Sequence, residues 1–178
     1  MNDASPPISI INQIHDECLC LAAQRAARLL ARRFDQVFAP LGITNGQFSL
    51  MVALSGTWKP RLGELAQFLA MDSTTMTAAI KTLEKRGLVT LTPDEKDARA
   101  RRPALTDQGR QVVVLAVPLW QAEHRAVQAG LPGQIARDLA RALGPSAAEI
   151  GRGQPHPPRV SLRHHDLATR GCLAQERQ

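Results

Sequence analysis

The stretch Arg61–Arg86, RLGELAQFLAMDSTTMTAAIKTLEKR, constrains this chain more than any other. Leu62, Leu65, Ala66 and Leu69 recur at the i, i+3, i+4, i+7 spacing of a helix with one apolar face. Ala70-Met71-Asp72 then makes a tight turn, and Asp72 suits the position that opens a second helix, because a carboxylate accepts from the unpaired N–H groups of a first turn. Met76, Ile80 and Leu83 predict the inward side of that helix. Ser73, Thr74, Thr77, Ala78, Lys81 and Lys85 are left outside, with small hydroxyls at the leading end and lysines further on. A face selected only for solubility would more often alternate Glu and Lys. Small donors at the leading end suit a helix pushed end-first into the DNA major groove, and the lysines suit phosphates. A plain helical hairpin fits the same spacing, so the flanking residues decide between the two.

Gly87 ends the second helix, as glycine commonly does just past a last turn. Leu88-Val89-Thr90-Leu91-Thr92 is strand-like, Pro93 to Arg99 is turn material, and Arg101 to Leu105 can return as a second strand. Pro103 cannot donate to a ladder, which makes that strand an edge. A hairpin after a helix-turn-helix is a winged helix. From Lys96 to Arg102 its tip carries Lys96, Arg99, Arg101 and Arg102 against Asp97 alone, a cluster suited to phosphate or the minor groove.

At this point the chain resembles MarR-type transcriptional regulators. GLVTLTPDEKDARARRPALTDQG is similar to the family's wing, with Asp-x-Arg at Asp97 and Arg99 and Leu-Thr at Leu105-Thr106 before a long helix. LGITNGQFSLMVAL, Leu41 to Leu54, is similar to the family's second helix and its entry, and the resemblance runs from about residue 12 to about residue 148. It implies a mainly α fold with a small β-hairpin wing: a winged helix-turn-helix lobe over residues 41–105, with dimerisation helices over 11–40 and 106–148. It implies a homodimer, probing a pseudo-palindromic operator in double-stranded DNA with half-site centres about 10 bp apart. Ser73, Thr74, Thr75, Thr77 and Ala78 would then lie near base edges and Lys81 and Lys85 near phosphates. Asp97 would orient Arg99, and Arg99 and Arg101 would reach the backbone or minor groove. Repression is the family's commoner mode, relieved by a small effector.

Residues 1–10 read as a loose arm and 11–39 as one long helix, with Leu30, Phe34, Val37, Phe38 and Leu41 on a stripe. Cys18 and Cys20 lie in it. In some peroxide-sensing members a reactive cysteine has a Leu-Cys-(apolar)-Ala setting, which Leu19-Cys20-Leu21-Ala22 resembles. Those sensors also use tyrosines at the sulfur, and this chain has 0 tyrosines. Two cysteines i, i+2 on a helix stand about 200° apart and cannot bond each other, so packing is the expected role of both.

Pro40-Leu41-Gly42 breaks the helix, Thr44 or Asn45 can cap the next, and Phe48, Met51 and Val52 give it a buried face. The family takes small aromatic acids or phenols where the DNA-binding lobe meets the dimer helices, and the residues here that could line such a pocket are Phe34, Phe38, Phe48, Met51 and Trp58. Aromatic stripes at helical spacing are usually core, and that is the expected role of these. After Thr106, which caps the next helix, Val112, Leu115, Leu119 and Trp120 predict an apolar side, Pro118 a kink, and Leu131-Pro132-Gly133 the end. A last helix is expected with Ile135, Leu139, Ala142 and Leu143 on one face.

From Gly151 the chain is rich in Pro, Arg, His and Gly without periodicity, which predicts a disordered basic tail over 151–178. Of the formal net charge of +6, five arginines and two acids in this tail supply +3, so the wing cluster says more than the total. His164, His165 and Cys172 lack a fixed scaffold and a fourth ligand, so no metal and no cofactor is expected. The N-terminal MNDASPPISI has no basic segment before an apolar core, and no apolar run approaches the roughly 20 residues that span a membrane. A cytoplasmic protein is expected. No phosphate loop, metal-binding His pair or nucleophile elbow is present, so an enzyme is not expected. The competing class is a winged helix used as a protein-interaction module, which would not need the basic tip.

Overall fold

A computed structural model describes residues 5–97, 99–132, 134, 135 and 138 of the chain. In chain order it holds α1 (Ile8–Glu17), α2 (Leu19–Phe38), α3 (Asn45–Ala53), α4 (Leu62–Phe68), α5 (Ser73–Lys85), β1 (Val89–Pro93), β2 (Arg101–Leu105) and α6 (Asp107–Ala129), with a 3₁₀ turn at Ala39–Leu41. Most of the last expected helix, and the whole tail from Gly151, lie outside the described residues. Among the described residues no helix is long and apolar enough to cross a membrane.

The first long helix is two helices. Residues 8–10 of the expected loose arm belong to α1, and the chain bends at Cys18, whose backbone leaves the helical region at ψ 102°. The Cys18 thiol accepts from the Leu21 N–H at 3.4 Å, so it caps the start of α2. Leu30, expected on the inner stripe of α2, is 40% exposed, while Phe34 and Phe38 are buried.

Local signals set the other ends. Thr44 opens α3 with a capping box: its hydroxyl accepts from the Gln47 N–H at 3.2 Å, and Gln47 returns to the Thr44 N–H at 3.1 Å. Gly42 takes φ 65°, a conformation that costs glycine little. Thr106 opens α6, its hydroxyl accepting from the Gly109 N–H at 3.0 Å.

The core gathers around Phe38, Met51, Leu65, Met76, Ile80 and Leu83, each fully buried, and joins α2, α3, α4, α5 and the first residues of β1. Each such side chain contributes roughly 1.5–3 kcal/mol by leaving water. The antiparallel pair runs in register from Val89–Leu105 to Pro93–Arg101, with Pro103 opposite Leu91. β1 packs on α5, and β2 packs on α4 and α6.

The inward side of α6 matches the expected one in part, since Val112 and Leu119 pack against the core. Gly109, Val113 and Ala116 are buried, whereas Leu115 is 56% exposed and Trp120 also faces outward. A Cβ added at Gly109 would overlap the carbonyl oxygen of Leu88 and lie 3.2 Å from Leu105 Cδ2. α6 thus approaches the root of the wing so closely at Gly109 that no side chain fits there, while further along Val113 is buried and Val112 and Leu119 pack half-buried against the core. The helix continues through Pro118.

Candidate nucleic-acid interface

The expected helix-turn-helix forms from α4, the turn at Leu69–Asp72, and α5. Asp72 does open α5: Oδ1 accepts from the Thr75 N–H at 2.8 Å and Oδ2 from the Thr75 hydroxyl at 2.6 Å. These bonds, the side-chain one first, hold the Asp72 carboxyl below its ordinary pKa. Met76, Ile80 and Leu83 point inward, while Ser73, Thr74, Thr75, Ala78, Lys81 and Lys85 are exposed and Thr77 is half-buried. The hydroxyls are not equivalent. Thr75 donates to Asp72 and Thr77 donates to the Ser73 carbonyl at 2.7 Å, so both keep only acceptor capacity toward a ligand. The turn contains Ala70 at φ 52°, a left-handed conformation rare for a residue with a Cβ.

The wing tip is built differently from the expected arrangement. Asp97 does contact Arg99, but through the backbone: its Oδ1 accepts from the Arg99 N–H at 3.0 Å. That shapes the turn and leaves the exposed Arg99 guanidinium unsteered by Asp97. The organising carboxylate is Asp94, which the sequence offered only as turn material. Asp94 is 5% exposed. Its Oδ1 accepts from Arg61 Nη2 at 2.9 Å and from the N–H groups of Lys96 and Asp97, each at 3.0 Å. Its Oδ2 accepts from Arg61 Nε at 3.3 Å and from Arg102 Nε. Arg102 continues through Nη1 to the Lys59 carbonyl. The Arg61 hydrogen bond foremost, aided by the Lys96 N–H and Arg102, holds the Asp94 carboxyl well below the usual carboxylate range, and Asp94 in turn raises Arg61. Arg102 is therefore not the free tip base its sequence position implied. Arg99, Arg101 and Lys96 remain exposed.

The residues considered for an effector pocket differ in burial. Phe34, Phe38, Phe48 and Met51 are buried core, with ring centroids 6.1 Å apart for Phe34–Phe38 and 4.6 Å for Phe38–Phe48. Trp58 is half-buried against this core, edge-on to Phe68 at 5.4 Å. It lines a groove of about 860 Å³ between the wing and the segment before α4, beside Lys59, Arg61, Asp94 and Arg102. Cys18 is half-buried as a cap and Cys20 is exposed in the single chain, with Gln24 Nε2 at 3.2 Å from its sulfur. Its helix position faces solvent once the chain has turned at Cys18. Among the described residues no group of three or more His, Cys, Asp or Glu could hold a metal ion.

The model of the MarR family matches residues 43–100, the span from the start of α3 to the wing. The M. tuberculosis transcriptional regulator MosR, solved in complex with DNA, is 36% identical over 76% of this chain and 99% of its own, with a TM-score of 0.65. The chain belongs to the MarR family. The chain is also similar to the transcriptional repressor CouR, bound to a 23-mer DNA duplex: 29% identical, covering 78% of this chain and 96% of that one, with a TM-score of 0.63. The transcriptional activatory protein BadR of Rhodopseudomonas palustris is 31% identical over 107 residues, 58% of this chain and 61% of its own length. The chain thus spans about three-fifths of that curated relative.

Proposed function

We propose that this MarR-family chain is a DNA-binding transcriptional regulator. It acts as a homodimer on a pseudo-palindromic operator, as a repressor that a small effector ligand releases. The observation that carries the proposal is the pairing of two exposed features. One is the α5 leading end, with Ser73 and Thr74 outward; the other is a wing whose Arg99 and Arg101 are exposed while its neighbouring arginines are fixed. Ser73, Thr74, Thr75, Thr77 and Ala78 read base edges, with Thr75 and Thr77 as acceptors. Lys81 and Lys85 meet phosphates, and Arg99 and Arg101 meet the backbone or the minor groove. The relatives MosR and CouR, both solved with DNA, support this use of the fold.

The dimer is supported by apolar side chains that a single chain leaves in water. Ile8, Ile11 and Ile14 of α1, Leu29 of α2, and Val114 and Leu115 of α6 are all exposed, at 71% for Ile8 and 63% for Val114. A monomer rarely leaves so many on adjoining helices. The effector, a small aromatic ligand in this reading, would lie outside the filled Phe34–Phe38–Phe48 cluster, with Trp58 as its available aromatic contact.

Footprinting on the DNA upstream of the chain's own gene tests the proposal. The expected result is a two-fold protected site, occupied by a dimer in sedimentation, with Arg99→Ala weakening binding and lowering its salt dependence. Absent or salt-insensitive binding would favour the protein-interaction module.

A further inference from the structure

We propose that Asp94 is the positioning residue of the wing, and that Arg61 and Arg102 serve this clamp and not the duplex. This rests on the DNA-binding reading above. An isolated two-stranded hairpin is marginally stable in water, so something else must fix the direction of this one. At its root β1 and β2 are held by buried Val89, Pro103 and Leu105, but Thr92, Pro93 and Arg101 at the far end are exposed. There the anchor is polar. Asp94 receives Arg61 from the residue that precedes α4, Arg102 from β2, and the two N–H groups that open the tip turn. Arg102 then ties the wing to the carbonyl of Lys59.

α4 packs directly on α5, so a carboxylate joining the tip to the start of α4 fixes the tip relative to the proposed recognition helix. Both oxygens of Asp94 are occupied, and its burial makes any unpaired partner costly. Arg99 and Arg101 lie outside the clamp and keep their charge whether or not it is intact. Breaking it therefore leaves the DNA-contacting groups present but unplaced. That separates a positioning role from a contact role.

The test is a fluorescence anisotropy titration, over a series of salt concentrations, of a labelled duplex carrying the footprinted site. The proteins are the full-length parent, Asp94→Asn, the double variant Arg99→Ala/Arg101→Ala, and the triple variant. Removing one phosphate-neutralising charge from the bound complex lowers the magnitude of the slope of log K against log salt by about 0.9. Asp94→Asn is expected to lower both affinity and slope toward the values of the double variant, and the triple variant is expected to match the double. A parent-like slope for Asp94→Asn overturns the proposal, as does its full effect persisting in the triple variant.

Should Asp94→Asn fail to fold by circular dichroism, Arg102→Gln added to the double variant decides. An unchanged slope supports the clamp, and a further drop shows that Arg102 touches the duplex and overturns it. A parent that binds no DNA defeats the underlying reading first, in a way that none of these variant comparisons imitates.

Discussion

Gly109→Ala tests whether the approach of α6 to the wing root is as close as the fold requires. The added Cβ would overlap the Leu88 carbonyl oxygen and lie 3.0 Å from the Leu88 carbonyl carbon and 3.2 Å from Leu105 Cδ2. A backbone carbonyl cannot rotate aside as a flexible side-chain end can, so the helix must shift. Overpacking of this kind costs about 1–3 kcal/mol, and the contact with backbone places this case at the upper end. Alanine recovers at most about 1 kcal/mol through its better helix propensity. The expected net loss is about 2 kcal/mol, a fall in melting temperature of about 4–8 °C for a chain of this size.

Gly63→Ala is the matched control. It too lies in a helix, but nothing stands within 4 Å of its added Cβ. It is expected to stabilise by up to about 1 kcal/mol. Urea and thermal unfolding followed by far-ultraviolet circular dichroism read both. A Gly109→Ala protein as stable as the parent, beside a stabilised Gly63→Ala, would refute the close approach. It would also free α6 to present a different side to the wing.

Ala70→Gly is expected to raise stability by up to about 1 kcal/mol in the same unfolding assays, because φ 52° strains any residue with a Cβ; a loss would show that the turn is not strained there. Asp72 and Asp94 both have folded-state pKa values below those of the unfolded chain. Their contribution is therefore fully present above an ordinary carboxylate pKa of about 3.9 and is lost as pH falls below it. Acid unfolding monitored downward from pH 5 should show a flatter dependence for Asp72→Asn and Asp94→Asn than for the parent, and an unchanged slope would contradict the bonding described for them. Cys20→Ser is expected to leave any peroxide effect on DNA binding unaltered in a gel-shift titration, because the tyrosines of the peroxide sensors are missing; release seen in the parent and absent in the variant would make Cys20 the switch.

The helix-turn-helix was legible because its signals are local. Asp72 caps a helix that begins at the next residue, Met76, Ile80 and Leu83 share one side through the helical repeat, and Gly87 takes the left-handed conformation that ends it. The hairpin followed from strand-like runs either side of a turn, found at Val89–Pro93 and Arg101–Leu105. Each of these needs only neighbours a few residues away.

Most of what the tertiary structure alone decided involves residues far apart in the chain. Asp94 meets Arg61 across 33 positions, and no periodicity marks which of several acids and bases in the wing will pair. Burial selects the acid that can satisfy every oxygen, which made Asp94 the organiser, left Asp97 to shape a turn, and removed Arg102 from the free bases. Part of the inward side of α6 was hidden for a related reason: a hydrophobic pattern passes over glycine, whereas the close backbone approach at Gly109 admits nothing larger. The break at Cys18 is invisible in the sequence because a thiol seldom caps a helix, and only the folded backbone shows that this one does.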